Sequence, residues 1–154
     1  MRSLFYLPLL LLLSGSLFSD RQIFIDPTGT YLLKGEVRKN KIIGRSGELR
    51  VRLLNANTAA MCLYLSKGEP GYESGFLLDT LHYGDNQCIY IPAGDTSCAI
   101  YFVFAVKSVE IYEALSNPQG GCGFRPGVLE PAVFDKTSAD IPVIEDLSGR
   151  GEPS

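Results

Sequence analysis

Four cysteines, Cys62, Cys88, Cys98 and Cys122, and a single histidine, His82, hold most of the reactive side-chain chemistry of this chain. Structural zinc sites place cysteines in close pairs, and no two of these four are separated by only two residues. A Ser or Cys nucleophile needs a base held beside it, most often His. His82 alternates with Thr80 in a strand-like run, which is an ordinary exposed position, and no Gly-x-Ser-x-Gly turn occurs. Asp79, Asp85, Asp95, Glu110 and Glu113 are candidates for a carboxylate pair, but their spacing selects none. Gly120–Gly123 is glycine-rich, yet it follows a strand without opening a helix, so it lacks the context of a phosphate cradle. The expectation is a protein that is not an enzyme and that uses no metal or cofactor.

The cysteines fit better as cross-links. Residues 1–19 have the layout of an export signal, with Arg2, the apolar run Leu4–Leu13 and the small-residue stretch Ser14–Ser19. That run is shorter than the roughly 20 apolar residues a bilayer span needs, so no stable membrane span is expected. An even cysteine count behind such a leader reads as two disulfides in a secreted or periplasmic protein. Three pairings are open. The geometry of a hairpin over 98–115 favours Cys98–Cys122, because the following loop can bring Cys122 back to the start of that hairpin. This leaves Cys62–Cys88. The net charge is −3 and no basic patch exists, which argues against nucleic acid as a partner.

The elements that position these residues are strands. Glu48–Leu54 alternates cleanly, with Leu49, Val51 and Leu53 on one face and Glu48, Arg50 and Arg52 on the other. Ala59–Ser66 returns after an Asn55–Asn57 turn, and Phe76–Tyr83 leads through Gly84–Asn86 into a run from Cys88. Cys98–Val106 is apolar on both alternating faces and predicts a strand covered on both sides. Val109–Leu115 follows after Lys107-Ser108. Thr30–Lys34 and Val128–Lys136 complete the set, the latter with Pro131 at an edge or bulge. Arg38–Gly47 reads as a loop or ragged strand, and Ile141–Ile144 as a docked extended segment. The fold class expected is all-β: one antiparallel barrel or sandwich of about eight strands in an up-and-down meander. The domain spans 20–147, with a disordered tail over 148–154.

Two connections are longer than their turns require, Lys67–Gly75 and Asn117–Gly127. Loops of that kind carry function on rigid scaffolds. The first offers Lys67, Glu69, Tyr72 and Glu73, and the second offers Phe124 and Arg125. Tyr, Phe and Arg are enriched at protein interfaces. The expected function is non-catalytic binding of another secreted or periplasmic protein. The alternative is a lipocalin-like carrier of a small apolar ligand, with Met61, Leu78, Tyr90, Tyr101, Phe102 and Phe104 lining its pocket.

Glu73-Ser74-Gly75 after Tyr72 resembles part of the Ser-Gly-centred loop of bacterial lysozyme-inhibitor barrels. The similarity extends loosely over the architecture of the mature chain. It implies inhibition of a peptidoglycan hydrolase by a loop inserted into its cleft. Those inhibitors also carry a Trp near the motif; this chain has none, and no functional residue is carried over.

Overall fold

The computed structural model describes residues 22–116 and 121–146. The leader expected over 1–19 and the tail expected over 148–154 lie outside the described residues. Among the described residues ten strands form: β1 (Gly29–Leu33), β2 (Glu36–Arg38), β3 (Lys41–Ile43), β4 (Ser46–Asn55), β5 (Thr58–Ser66), β6 (Ser74–Gly84), β7 (Gln87–Tyr90), β8 (Cys98–Phe104), β9 (Ser108–Leu115) and β10 (Ala132–Ser138). Eight of them close into an antiparallel barrel in the order β1-β10-β9-β8-β7-β6-β5-β4, so the all-β expectation resolves to a barrel. From β4 to β10 every neighbour in the barrel is a neighbour in sequence. β1 closes the ring between β10 and β4, and β2–β3 is a separate hairpin inserted in the chain between β1 and β4.

Turn chemistry sets this order. Asp85 and Asn86 both adopt positive φ (52° and 58°), as a two-residue turn matched to strand twist requires, and they join β6 to β7. Lys39 and Asn40 do the same (48° and 61°) between β2 and β3, turning the expected loop at 38–47 into a hairpin. β4 and β5 pair over their whole length, from Ser46↔Ser66 to Asn55↔Thr58. The alternating face of β4 sends Leu49 and Val51 inward, where both are fully buried.

The barrel is filled by its own side chains. Tyr31, Met61, Ile100, Phe102, Ile111 and Phe134 are all buried, and burying each such side chain contributes roughly 1.5–3 kcal/mol. Tyr31 and Tyr83 meet Phe104 edge to face at 5.9 and 5.8 Å. Burial holds the Tyr83 hydroxyl pKa up at about 12, and its proton goes to the Ile25 carbonyl.

Three expectations need correction. Cys98 and Cys122 are joined, with Cα atoms 5.5 Å apart, but Cys62 and Cys88 are free thiols, both buried. Alternation explains why. Cys88 pairs with Phe102, shares its inward face and lies in the core, where burial raises its thiol pKa to about 12. Cys62 lies between the inward Met61 and Leu63 and therefore points out of the barrel. The barrel wall separates the two sulfurs. Cys62 is buried from outside by the extended segment 141–146, which Arg50 clamps through the Val143 carbonyl (3.1 Å) and the Glu145 carboxylate (3.2 Å). Second, Cys98–Phe104 is covered on one face only. Cys98, Ile100, Phe102 and Phe104 point inward, and the half-buried outer face carries Tyr101 stacked on Tyr112 at 5.0 Å. Third, β10 begins at Ala132, and Val128 and Leu129 instead turn inward as a plug.

Candidate functional site

Strand pairing sorts the connections to two ends of the barrel. Short turns at 55–57, 85–86 and 105–107 occupy one end. The β2–β3 hairpin, the loops 67–73 and 91–97, and the described part of the second long connection, 121–131, gather at the other. Both long loops singled out in the sequence therefore share one rim, and side chains lock them together.

The 67–73 loop is built as a closed unit. Lys67 N–H donates to the Glu73 carbonyl at 2.8 Å and Tyr72 N–H to the Gly68 carbonyl at 2.8 Å. Gly68, at φ 74°, lies so close to the Gly44 carbonyl that a Cβ has no room. Glu69 N–H donates to the Ile42 carbonyl at 3.2 Å, and Lys41 Nζ meets the Glu69 carboxylate at 2.7 Å. The hydrogen bond and charge of Glu69 shift the Lys41 ammonium pKa upward. The hairpin and the loop are thus tied by backbone and side chain.

The second loop docks on the first. Phe124 packs over Gly75, filling the space a Cβ would occupy. Glu73 sits between two cations, Lys67 at 3.7 Å and Arg125 at 3.9 Å. The Cys98–Cys122 bond and the buried Val128 and Leu129 fix the root of this loop in the core. Glu113 lies beside the disulfide; burial pushes its carboxyl pKa up, while the Cys122 N–H partly offsets this. Because both sulfurs are bonded to each other, the cluster of Cys98, Glu113 and Cys122 offers no thiolate pair to a metal.

Of the six residues singled out for partner contact, Lys67, Glu73, Phe124 and Arg125 form one group. Glu69 is committed to Lys41, and Tyr72 stands apart. Tyr72 holds positive φ (46°) and remains 43% exposed. A non-glycine residue in that conformation is held by its surroundings. It rims a cleft of about 440 Å³ between the β2–β3 hairpin and the outer wall of β1, β4 and β5. Leu32, Ile42 and Tyr64 supply apolar surface there, and Lys34, Lys41 and Glu48 supply charge. Lys34 has no ion pair among the described residues. Lys34, Ile42 and Tyr64 were missed from sequence because the hairpin that brings them together reads as a polar loop. Met61, Phe102 and Phe104, expected to line an internal pocket, fill the core, whereas Leu78 is exposed on the outer wall and Tyr101 is half-buried there.

No protein-family model matches the chain, and no curated protein or solved structure is significantly similar to it.

Proposed function

We propose that this is a non-catalytic binding protein of an exported compartment, which grips another protein with the loop end of its barrel. The observation that supports this reading is the convergence of the hairpin and both long loops into one cross-braced rim, with Tyr72 held exposed beside an apolar cleft. A rim ordered before binding loses little conformational entropy on association, which favours affinity. Tyr72 is the anchor, the cleft receives an apolar side chain of the partner, and Lys34 faces an acidic group. Phe124 acts from beneath by propping Gly75 and Glu73. An internal ligand has no such support, since Tyr31, Phe102 and Phe134 are fully buried in the packed core.

Peptidoglycan hydrolases are the partner class to examine first, because a rigid projecting loop suits an enzyme cleft. The test is inhibition of a panel of such hydrolases, together with native mass spectrometry of the protein isolated from its host's exported fraction. Once a partner is in hand, Tyr72→Ala is expected to weaken it at least about 30-fold, the scale of an interface hot spot. Unchanged affinity for both Tyr72→Ala and Lys34→Ala would overturn the reading.

A further inference from the structure

The barrel is closed unevenly. β5 and β6 pair over nine residues, from Thr58↔His82 to Ser66↔Ser74, whereas β6 and β7 pair only at Tyr83↔Cys88 and Gly84↔Gln87. Below Tyr83 the two strands part. Tyr83 N–H donates to Asn57 across the β5 side, so by alternation Phe76, Leu78 and Thr80 point their backbone N–H and C=O groups toward the gap. No backbone partner is recorded for them there among the described residues. The gap runs from Phe76 to Thr80 and ends where Phe124 covers Gly75. Five residues span about 17 Å, the length of a short strand.

The lips of this gap are apolar. Phe76 and Leu78 are 37% and 49% exposed on one side, and Ile89 and Ile91 are 40% and 56% exposed on the other. Asp79 is the exception. It lies between Leu77 and Leu81, both buried on the inward face, and yet it is exposed. Its carboxylate accepts the Thr80 N–H at 2.7 Å, which places it at the open edge, where it stands in for a missing backbone acceptor. An unpaired edge is a template for a further strand.

We propose that the Phe76–Thr80 edge of β6 accepts an extended peptide segment of a partner protein, with a Lys or Arg of that segment facing Asp79 and apolar residues on either side of it. Charge complementarity selects this occupant over a second copy. Antiparallel self-pairing centred here would set Asp79 directly against Asp79 of the other chain, and like charges directly opposite destabilise a sheet. This site lies in the barrel wall and is independent of the loop end.

The test uses the full chain and a five-residue peptide, acetyl-Thr-Val-Lys-Val-Thr-amide, whose palindromic order serves either strand direction. Two comparison peptides replace Lys by Glu, or carry N-methyl groups on both Val residues. Amide shifts and hydrogen exchange are followed by NMR. In the free protein the Phe76 and Leu78 amides should exchange fast, and the Lys peptide should slow them. It should bind roughly 2–5-fold more tightly than the Glu peptide, the range of a cross-strand charge pair. Asp79→Lys should reverse that order without altering the thermal midpoint by more than a few degrees. N-methylation should weaken binding at least tenfold in one of its two edge registers. Slow exchange of Phe76 and Leu78 in the free protein would overturn the proposal. So would equal binding of the Lys and Glu peptides, or a concentration-dependent dimer that protects these amides.

Discussion

The double substitution Cys98→Ala/Cys122→Ala tests how the loop end is held. The bond joins residues 24 apart in sequence, so in the unfolded chain it closes a loop of that size. Loop-closure entropy for such a length is about 3.5 kcal/mol at 25 °C. Both sulfurs are buried, and Ala keeps the inward face of β8 apolar, so lost packing adds to the effect rather than opposing it. For a domain whose total stability falls in the usual range of about 5–15 kcal/mol, this is a large share. With a urea m-value of about 2 kcal/mol/M, the unfolding midpoint should fall by about 1.8 M. The chain has no Trp, so far-UV circular dichroism or tyrosine fluorescence would follow the transition. The reduced wild type, which keeps both sulfurs, should unfold between the oxidised wild type and the variant. The substitution should also release the 121–129 segment from the rim, removing Phe124 from Gly75 and Arg125 from Glu73. A midpoint shift below about 0.5 M, corresponding to under about 1 kcal/mol, would refute the argument that this bond fixes the loop to the barrel.

Other outcomes follow from the same structure. Thiol titration of the unreduced protein in denaturant should find two thiols per chain, Cys62 and Cys88, and neither should react in the native state; no thiol in denaturant would restore the second disulfide. The Cys88 thiol is held up at about 12 against an ordinary value near 9, and Tyr83 at about 12 against 10. Between pH 9 and 12 the folded chain therefore binds more protons than the unfolded one, so stability is intact below pH 9 and falls as pH rises through that window. Cys88→Val should flatten the lower part of that fall in urea titrations across pH, and an unchanged profile would count against the assignment. Gly75→Val should force Phe124 off the β6 wall and lower stability by about 1–3 kcal/mol, the usual scale of overpacking; a wild-type melting curve with Phe124 still shielded would contradict the contact.

Much of the barrel was legible because single residues were unambiguous. The alternation of β4 fixed which of its faces is wet, and Asn and Gly at the turns fixed the meander. Cys98–Cys122 was legible because a hairpin and one loop bring these ends together. The partner assignment for Cys62 and Cys88 failed for a local reason. Met61, Cys62 and Leu63 are all apolar, so the run does not declare which parity faces inward. The outer side of Cys62 is covered by 141–146, about half a chain length away, and burial alone did not mark it as interior. The β2–β3 hairpin was hidden by its polar residues, since it packs on the rim and not in a core. With it went Lys34, Ile42 and Tyr64, which line the cleft only because the hairpin folds over them. The candidate contact residues on the two loops were legible as residue types. Their mutual arrangement was not, because it depends on Phe124 meeting a glycine on β6.

The most direct measurement is hydrogen exchange of the protein in complex with its partner, read by mass spectrometry against the free chain. New protection is expected over 34–45 and 67–73, with 121–127 included, and none at the turns 55–57, 85–86 and 105–107. Protection confined to those turns, with the loop end unchanged, would contradict the claim that this rim is the binding surface.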